Sequence, residues 1–172
     1  LLACGLTHTA IVSLDVAKCK KQIDSKFSTG LVNGLSKLKT QGELTLGWLP
    51  TLIGYSLQGF GKFGFYEIFK DVYKNIVGEE NAAKYKTIGW SIASGSAEVI
   101  ADILLCPWEA IKLKIQLSRP GNEYPRSMLA TINKVSSEEG FGALYKGLVP
   151  LWARQIPYTI VKFVAFEKIV EI

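Results

Sequence analysis

The sequence is poor in the residues on which most metal and nucleophile chemistry depends. Its 172 residues include one histidine, His8, and three cysteines, Cys4, Cys19 and Cys106. The thiols stand alone, without the paired spacings of a zinc site or a disulfide framework, so small-residue packing is their expected role. No nucleophile with a base beside it, metal-ligand cluster or phosphate-binding loop is apparent. These gaps argue against an enzyme and predict no cofactor and no metal. No aromatic-interleaved basic patch accompanies the lysines and arginines, so nucleic acid is not an expected partner. An initiator methionine and a presequence are missing too. Leu1 therefore reads as an interior position, and Ile172 follows Val170 without a cap or breaker, so the chain is expected to be a fragment.

Also lacking is a long hydrophobic run free of charge. Residues 1 to 17, 46 to 69, 88 to 111 and 148 to 166 each approach the roughly 20 residues that a helix needs to cross a bilayer core. His8, Asp15, Lys62, Glu98, Asp102, Arg154 and Lys162 nevertheless lie inside them. With 48% hydrophobic residues and a mean hydropathy of +0.20, the composition still points to the membrane. Charges in lipid are costly, so these side chains are expected to face one another or an aqueous cavity. A soluble helical bundle fits less well, because lysines and carboxylates at comparable depth in four apolar segments are hard to satisfy in a soluble core.

The net charge of +5 matters less than its placement. Lys18, Lys20, Lys21, Lys26, Lys37 and Lys39 crowd the stretch after the first span, and Lys112, Lys114, Arg119 and Arg126 the stretch after the third. The connector between the second and third spans mixes both signs. The positive-inside rule puts the two basic loops on the inner side and the mixed loop with both chain ends outside.

The two halves of the chain repeat each other. With Pro50 set against Pro150, Gly47, Lys62, Phe63 and Glu67 face the same residue types at 147, 162, 163 and 167. Upstream, Asp15, Lys18 and Lys20 correspond to Glu109, Lys112 and Lys114, a register of 94 set by 15 and 109. Such repetition decides architecture. It predicts one repeat over 1–80 and a second over 81–172. Each would hold a long helix, a basic exit, a short amphipathic helix and a second long helix. The short helices are expected over 31 to 40, with Leu31, Leu35 and Leu38 on one side, and near 126 to 137. The long ones are expected to end near Ile23, to run from Trp48 to about Asn75 and from about Ala83 to Leu117, and to start again at Gly147.

Helical spacing then aligns the polar residues. His8 and Asp15, seven apart, return to within about 20° of one face. Ser91, Ser94, Glu98, Asp102 and Glu109 form one stripe, Gln58, Lys62 and Tyr66 another, and Tyr158, Lys162 and Phe166 a third. Four helices each with one polar stripe suit a shared wet cavity, and its lysines call for an anion.

Cys106-Pro107-Trp108-Glu109-Ala110-Ile111-Lys112-Leu113-Lys114 follows a pattern of proline, acid, base and base at fixed spacing. Ser13-Leu14-Asp15-Val16-Ala17-Lys18-Cys19-Lys20 follows it with serine for proline. Adding the Gly47 to Pro50 and Gly147 to Pro150 turns, and the pairs Tyr66-Glu67 and Phe166-Glu167, the chain resembles the mitochondrial carrier family over essentially its whole length. That resemblance implies an all-α membrane protein with a partial mitochondrial carrier fold. About four tilted transmembrane helices and two short matrix-side amphipathic helices would sit in the mitochondrial inner membrane. The stretches Cys4-Gly5-Leu6-Thr7-His8-Thr9, Gly54-Tyr55-Ser56-Leu57-Gln58-Gly59, Lys62-Phe63-Gly64-Phe65-Tyr66-Glu67 and Arg154-Gln155-Ile156-Pro157-Tyr158 resemble the family's phosphate-carrying members. They imply symport of inorganic phosphate with a proton into the matrix.

On this resemblance Lys62 and Lys162 are the first choice for binding phosphate, with Gln58, Tyr158 and Arg154 beside them. Pairing of the lysines with Glu98, Asp102 or neighbouring helices is the structural alternative, and the two roles are compatible. His8 is the candidate proton-coupling group as the one histidine, or else a packing imidazole. Glu98, set in an apolar span where desolvation favours the neutral form, and Asp102, read first as a packing or network carboxylate, complete that set. Asp15, Lys18, Glu109 and Lys112 would form a matrix gate, and Glu67, Lys70 and Glu167 a cytoplasmic one. Each acid and base three residues apart diverge by about 60° and so reach different neighbours. Pro107 is expected to kink its helix. Ser13 in place of proline and Val170 in place of an outer base weaken the gates. The family builds its barrel from three repeats, so either a third lies beyond Ile172 or the chain is a carrier-derived structural subunit of a larger respiratory assembly. Cardiolipin at the short-helix termini is a further possible partner.

Overall fold

The computed structural model describes residues 2–24, 27–118 and 124–170. Leu1, Lys26, Arg119 and Ile172, named above, lie outside the described residues. Eight α-helices follow in order among those described: α1 (Leu2–Ala10), α2 (Val12–Ile23), α3 (Leu31–Gln41), α4 (Trp48–Val77), α5 (Glu79–Lys84), α6 (Lys86–Gln116), α7 (Met128–Glu138) and α8 (Leu148–Val170). A 3-10 turn, Phe141–Tyr145, links α7 to α8. No strand occurs among the described residues.

The expected first span is two helices rather than one. Ile11 leaves the helical ladder with φ −101° and ψ 9°. The Thr7 hydroxyl donates to the carbonyls of Ala3 and Cys4, and the Thr9 hydroxyl to that of Gly5 at 2.7 Å. Threonines that bond back to the preceding turn bend helices, and two lie just before the break. The helix of the third span likewise starts at Lys86, with α5 standing apart before it. α6 continues through Pro107 and α8 through Pro157. Among the described residues, α6 is the helix that is both long and apolar enough to cross a membrane. α4 and α8, at 30 and 23 residues, have the length but not the apolarity.

The chain divides into two compact units, each drawing on both sequence halves. The first joins Leu1–Ser56 to Pro107–Lys146. In it Val16 and Ala17 of α2 bury against Leu38 of α3, with Phe27, Leu35 and Leu44 around them. Ile111 and Ile115 of α6 bury in the same way against Val135 of α7, Ala143 and Leu144. α3 thus covers α2, and α7 covers the end of α6. Leu31 departs from the expected stripe, being 55% exposed at the start of α3. Gly42, at φ +67°, ends α3, and the Glu43 amide reaches back to the Leu38 carbonyl at 2.9 Å. That left-handed cap strongly favours glycine.

The second unit joins Leu57–Cys106 to Gly147–Ile172. Its apolar core is Tyr66 of α4, Ala93 and Ala97 of α6, and Phe163 of α8. Gly61 lets α4 and α6 approach closely, because a Cβ there would stand 3.0 Å from Ala101 Cα. The Trp152 indole donates to the Val99 carbonyl at 3.4 Å and ties α8 to α6.

Candidate functional site

The second unit holds a buried polar cluster built from three helices. Glu98 and Asp102, one turn apart on α6, are each 0% exposed. α4 brings Lys62 and Gln58 to them, also one turn apart, and α8 brings Thr159. Lys62 Nζ lies 2.9 Å from Glu98 Oε1. Gln58 Nε2 donates to Asp102 Oδ1 at 3.2 Å and, more weakly, to Glu98 Oε1 at 3.5 Å. Thr159 Oγ1 donates to Glu98 Oε2 at 2.9 Å. The lysine side chain is 18% exposed, whereas the side chain of its counter-ion is fully buried. A cation in such a setting can exchange a resident carboxylate for an arriving anion. Four expected site residues are therefore brought together: Gln58, Lys62, Glu98 and Asp102. Lys162, Arg154 and Tyr158 lie exposed on α8. Thr159 is the member that sequence reasoning missed. It lies one residue after Tyr158, and nothing marks an uncharged threonine in an apolar helix as a site residue.

A second polar group in this unit lies where α4 and α8 end. Lys70 binds Glu167 at 2.9 Å and Glu67, one turn before it, at 3.6 Å. Tyr66 donates its hydroxyl to the same Glu167 oxygen at 2.9 Å, and the Lys70 ammonium stands 5.0 Å from the Tyr66 ring centre. The shorter bond thus joins Lys70 of one sequence half to Glu167 of the other, while Glu67 stays mostly in the open.

In the first unit, Lys112 of α6 pairs with Asp15 of α2 at 2.8 Å. Tyr55 organises this place: Lys112 Nζ stands 5.6 Å from its ring centre, and the His8 imidazole stacks on it at 3.8 Å with the planes 14° apart. Lys18 is exposed and Glu109 half-buried. Lys20 bonds to Glu43, whose other oxygen takes Arg126 at 3.2 Å. Lys114 bonds to Glu139, which also accepts from the Tyr124 hydroxyl at 2.9 Å. The Lys114 bond, with help from Tyr124, holds the Glu139 carboxyl below the usual glutamate range. No site role fell to Glu43 or Glu139 in the sequence. Their near-equal places after α3 and α7 were the available sign that Lys20 and Lys114 each had a waiting acid.

The described residues are thus long helices with exposed apolar side chains, tied to one another through ion pairs. Residues 1–76 and 84–172 match the family model described as mitochondrial carrier protein. The chain belongs to the mitochondrial carrier family, which places it in the mitochondrial inner membrane. It is 51% identical to a probable mitochondrial phosphate carrier protein of Schizosaccharomyces pombe, over 99% of this chain and 55% of that one. It is 52% identical to a mitochondrial phosphate carrier protein of Caenorhabditis elegans, over 99% of this chain and 50% of the other. With solute carrier family 25 member 3 of Homo sapiens the identity is 49%, over 99% and 47%. The chain thus spans about half the length of the curated relatives it matches. No solved structure matches it significantly.

Proposed function

We propose that the full protein carries inorganic phosphate together with a proton across the mitochondrial inner membrane by alternating access, this chain supplying two repeats, 1–80 and 81–172. The observation that carries this reading is the Lys62 ammonium held 2.9 Å from a fully buried Glu98. A lysine paired in this way exchanges its internal carboxylate for a phosphate oxygen, which returns the charge-assisted hydrogen bonds that phosphate loses with its water. Gln58 stands beside it as a neutral donor. Lys162, Arg154 and Tyr158, exposed on α8, would complete the site from a surface open to the remaining part of the protein. His8, Glu98 and Asp102 are the groups available for the proton.

The pairs Asp15 with Lys112 and Lys70 with Glu167 serve as the matrix and cytoplasmic closures, with Lys18, Glu109 and Glu67 as their further members. Substrate-dependent breaking of one set while the other forms is what alternating access requires. Identity near one half with relatives named as phosphate carriers, over almost all of this chain, supports transport over a docked structural subunit. The test is uptake of labelled phosphate by liposomes containing the full-length protein, with an alkaline interior. The expected result is saturable uptake that Lys62→Ala abolishes while helix content is retained. Uptake by Lys62→Ala at the wild-type rate would remove this site from the account.

A further inference from the structure

Glu98 and Asp102 are both carboxyls at 0% exposure, and the cation bonded in their cluster is Lys62. Two carboxylates against one ammonium would leave a buried negative charge without a counter-ion. Acids that share such a place do not both ionise, so the pair retains one proton. The donors around them are unequal. Glu98 accepts from Lys62 at 2.9 Å and from Thr159 at 2.9 Å, one on each oxygen, with Gln58 at 3.5 Å as a third. Asp102 accepts from Gln58 on Oδ1 at 3.2 Å, and its Oδ2 is buried without a hydrogen-bond donor. Glu98 has the surroundings of an anion. Asp102 has those of a neutral acid, its carbonyl oxygen capped by an amide and its second oxygen free to bear hydrogen.

We infer that, while the site is empty at neutral pH, Asp102 holds the retained proton on Oδ2 and Glu98 is the anion, fixed by Lys62 and Thr159. This rests on the proton-coupled reading above and chooses between its two buried carboxyls. The charged and polar groups that act on Asp102 are Glu98 on its own helix and Gln58 and Lys62 from α4, while Thr159 of α8 acts through Glu98. Thr159 is a positioning residue: its hydroxyl keeps Glu98 ionised and thereby keeps the proton on its neighbour.

Infrared spectroscopy of the full-length protein in lipid vesicles, with carbon-13 in the side-chain carboxyls of either all aspartates or all glutamates, tests this directly. The expected result is a protonated-carboxyl stretch at neutral pH that shifts with the aspartate label, ignores the glutamate label and vanishes in Asp102→Asn. Thr159→Val is expected to give the stretch partial glutamate character, and Thr159→Ser to restore it. A stretch that follows the glutamate label, one that survives Asp102→Asn, or none at all overturns the assignment. Should Asp102→Asn not fold, the labels in wild-type and Thr159 variants still decide between Asp and Glu. Phosphate uptake by the same vesicles reads the transport proposal separately, so uptake with a glutamate stretch sinks this assignment alone.

Discussion

Glu98 is the residue on which the polar cluster turns, because it accepts from both α4 and α8 while sitting on α6. Removing its charge strands the Lys62 ammonium. Glu98→Gln is expected to cost about 3 kcal/mol or more, the usual result of taking one partner from a buried pair. Thermal unfolding in detergent measures this, and Lys62→Met in the same background should recover part of the loss. Glu139 gives a milder, pH-dependent case. Its carboxyl is held below the ordinary range by Lys114 and Tyr124, so its contribution is present above that range and is lost as pH falls through the lowered value. Glu139→Gln should therefore flatten the acid limb of stability against pH; an unchanged limb would deny the bond any role. At this scale the sequence was informative at Lys62, Glu98 and Asp102, where a charge interrupts an apolar run, but the same sign at Arg154 and Lys162 marks exposed positions on α8. It was silent where the working group is neutral. Thr159 and Tyr55 look like ordinary helix residues until folding brings Glu98 and Lys112 to them.

The long helices are held by small residues and joined by ion pairs. α4 meets α6 at Gly61, where an added Cβ would stand 3.0 Å from one backbone atom of Ala101 and 3.5 Å from another. Backbone cannot yield as a flexible side chain does, so Gly61→Ala is expected to cost about 1 to 3 kcal/mol. A loss well under 1 kcal/mol in thermal unfolding would mean that the helices are not so tightly apposed. Asp15 and Lys112 join α2 to α6, and reversing either alone should lower stability. Reversing both should recover a coupling of about 1 kcal/mol in a double-mutant cycle. Helix type and order were legible from periodicity, and the short helices fell close to their expected bounds. The break at Ile11 was not, because no proline or glycine marks it. It follows from Thr7 and Thr9, whose side chains bond to their own helix, a choice that composition does not reveal.

At the scale of the whole chain, sequence halves and compact units are different divisions. The halves relate residues by likeness, such as Gly47 with Gly147, whereas each unit gathers contacts from both halves. Among the described residues, ionic pairs accordingly reach across the halves, as Lys70 does to Glu167 and Lys112 to Asp15. The repeat offset told which residues correspond, and it could not tell which of them touch. The most direct measurement is simultaneous recording of phosphate entry and internal pH in liposomes carrying the full-length protein. The account predicts that labelled phosphate enters with a matching acidification of the interior, and that Lys62→Ala loses both. Phosphate entry without any proton, or no entry at all from the intact protein, would contradict it.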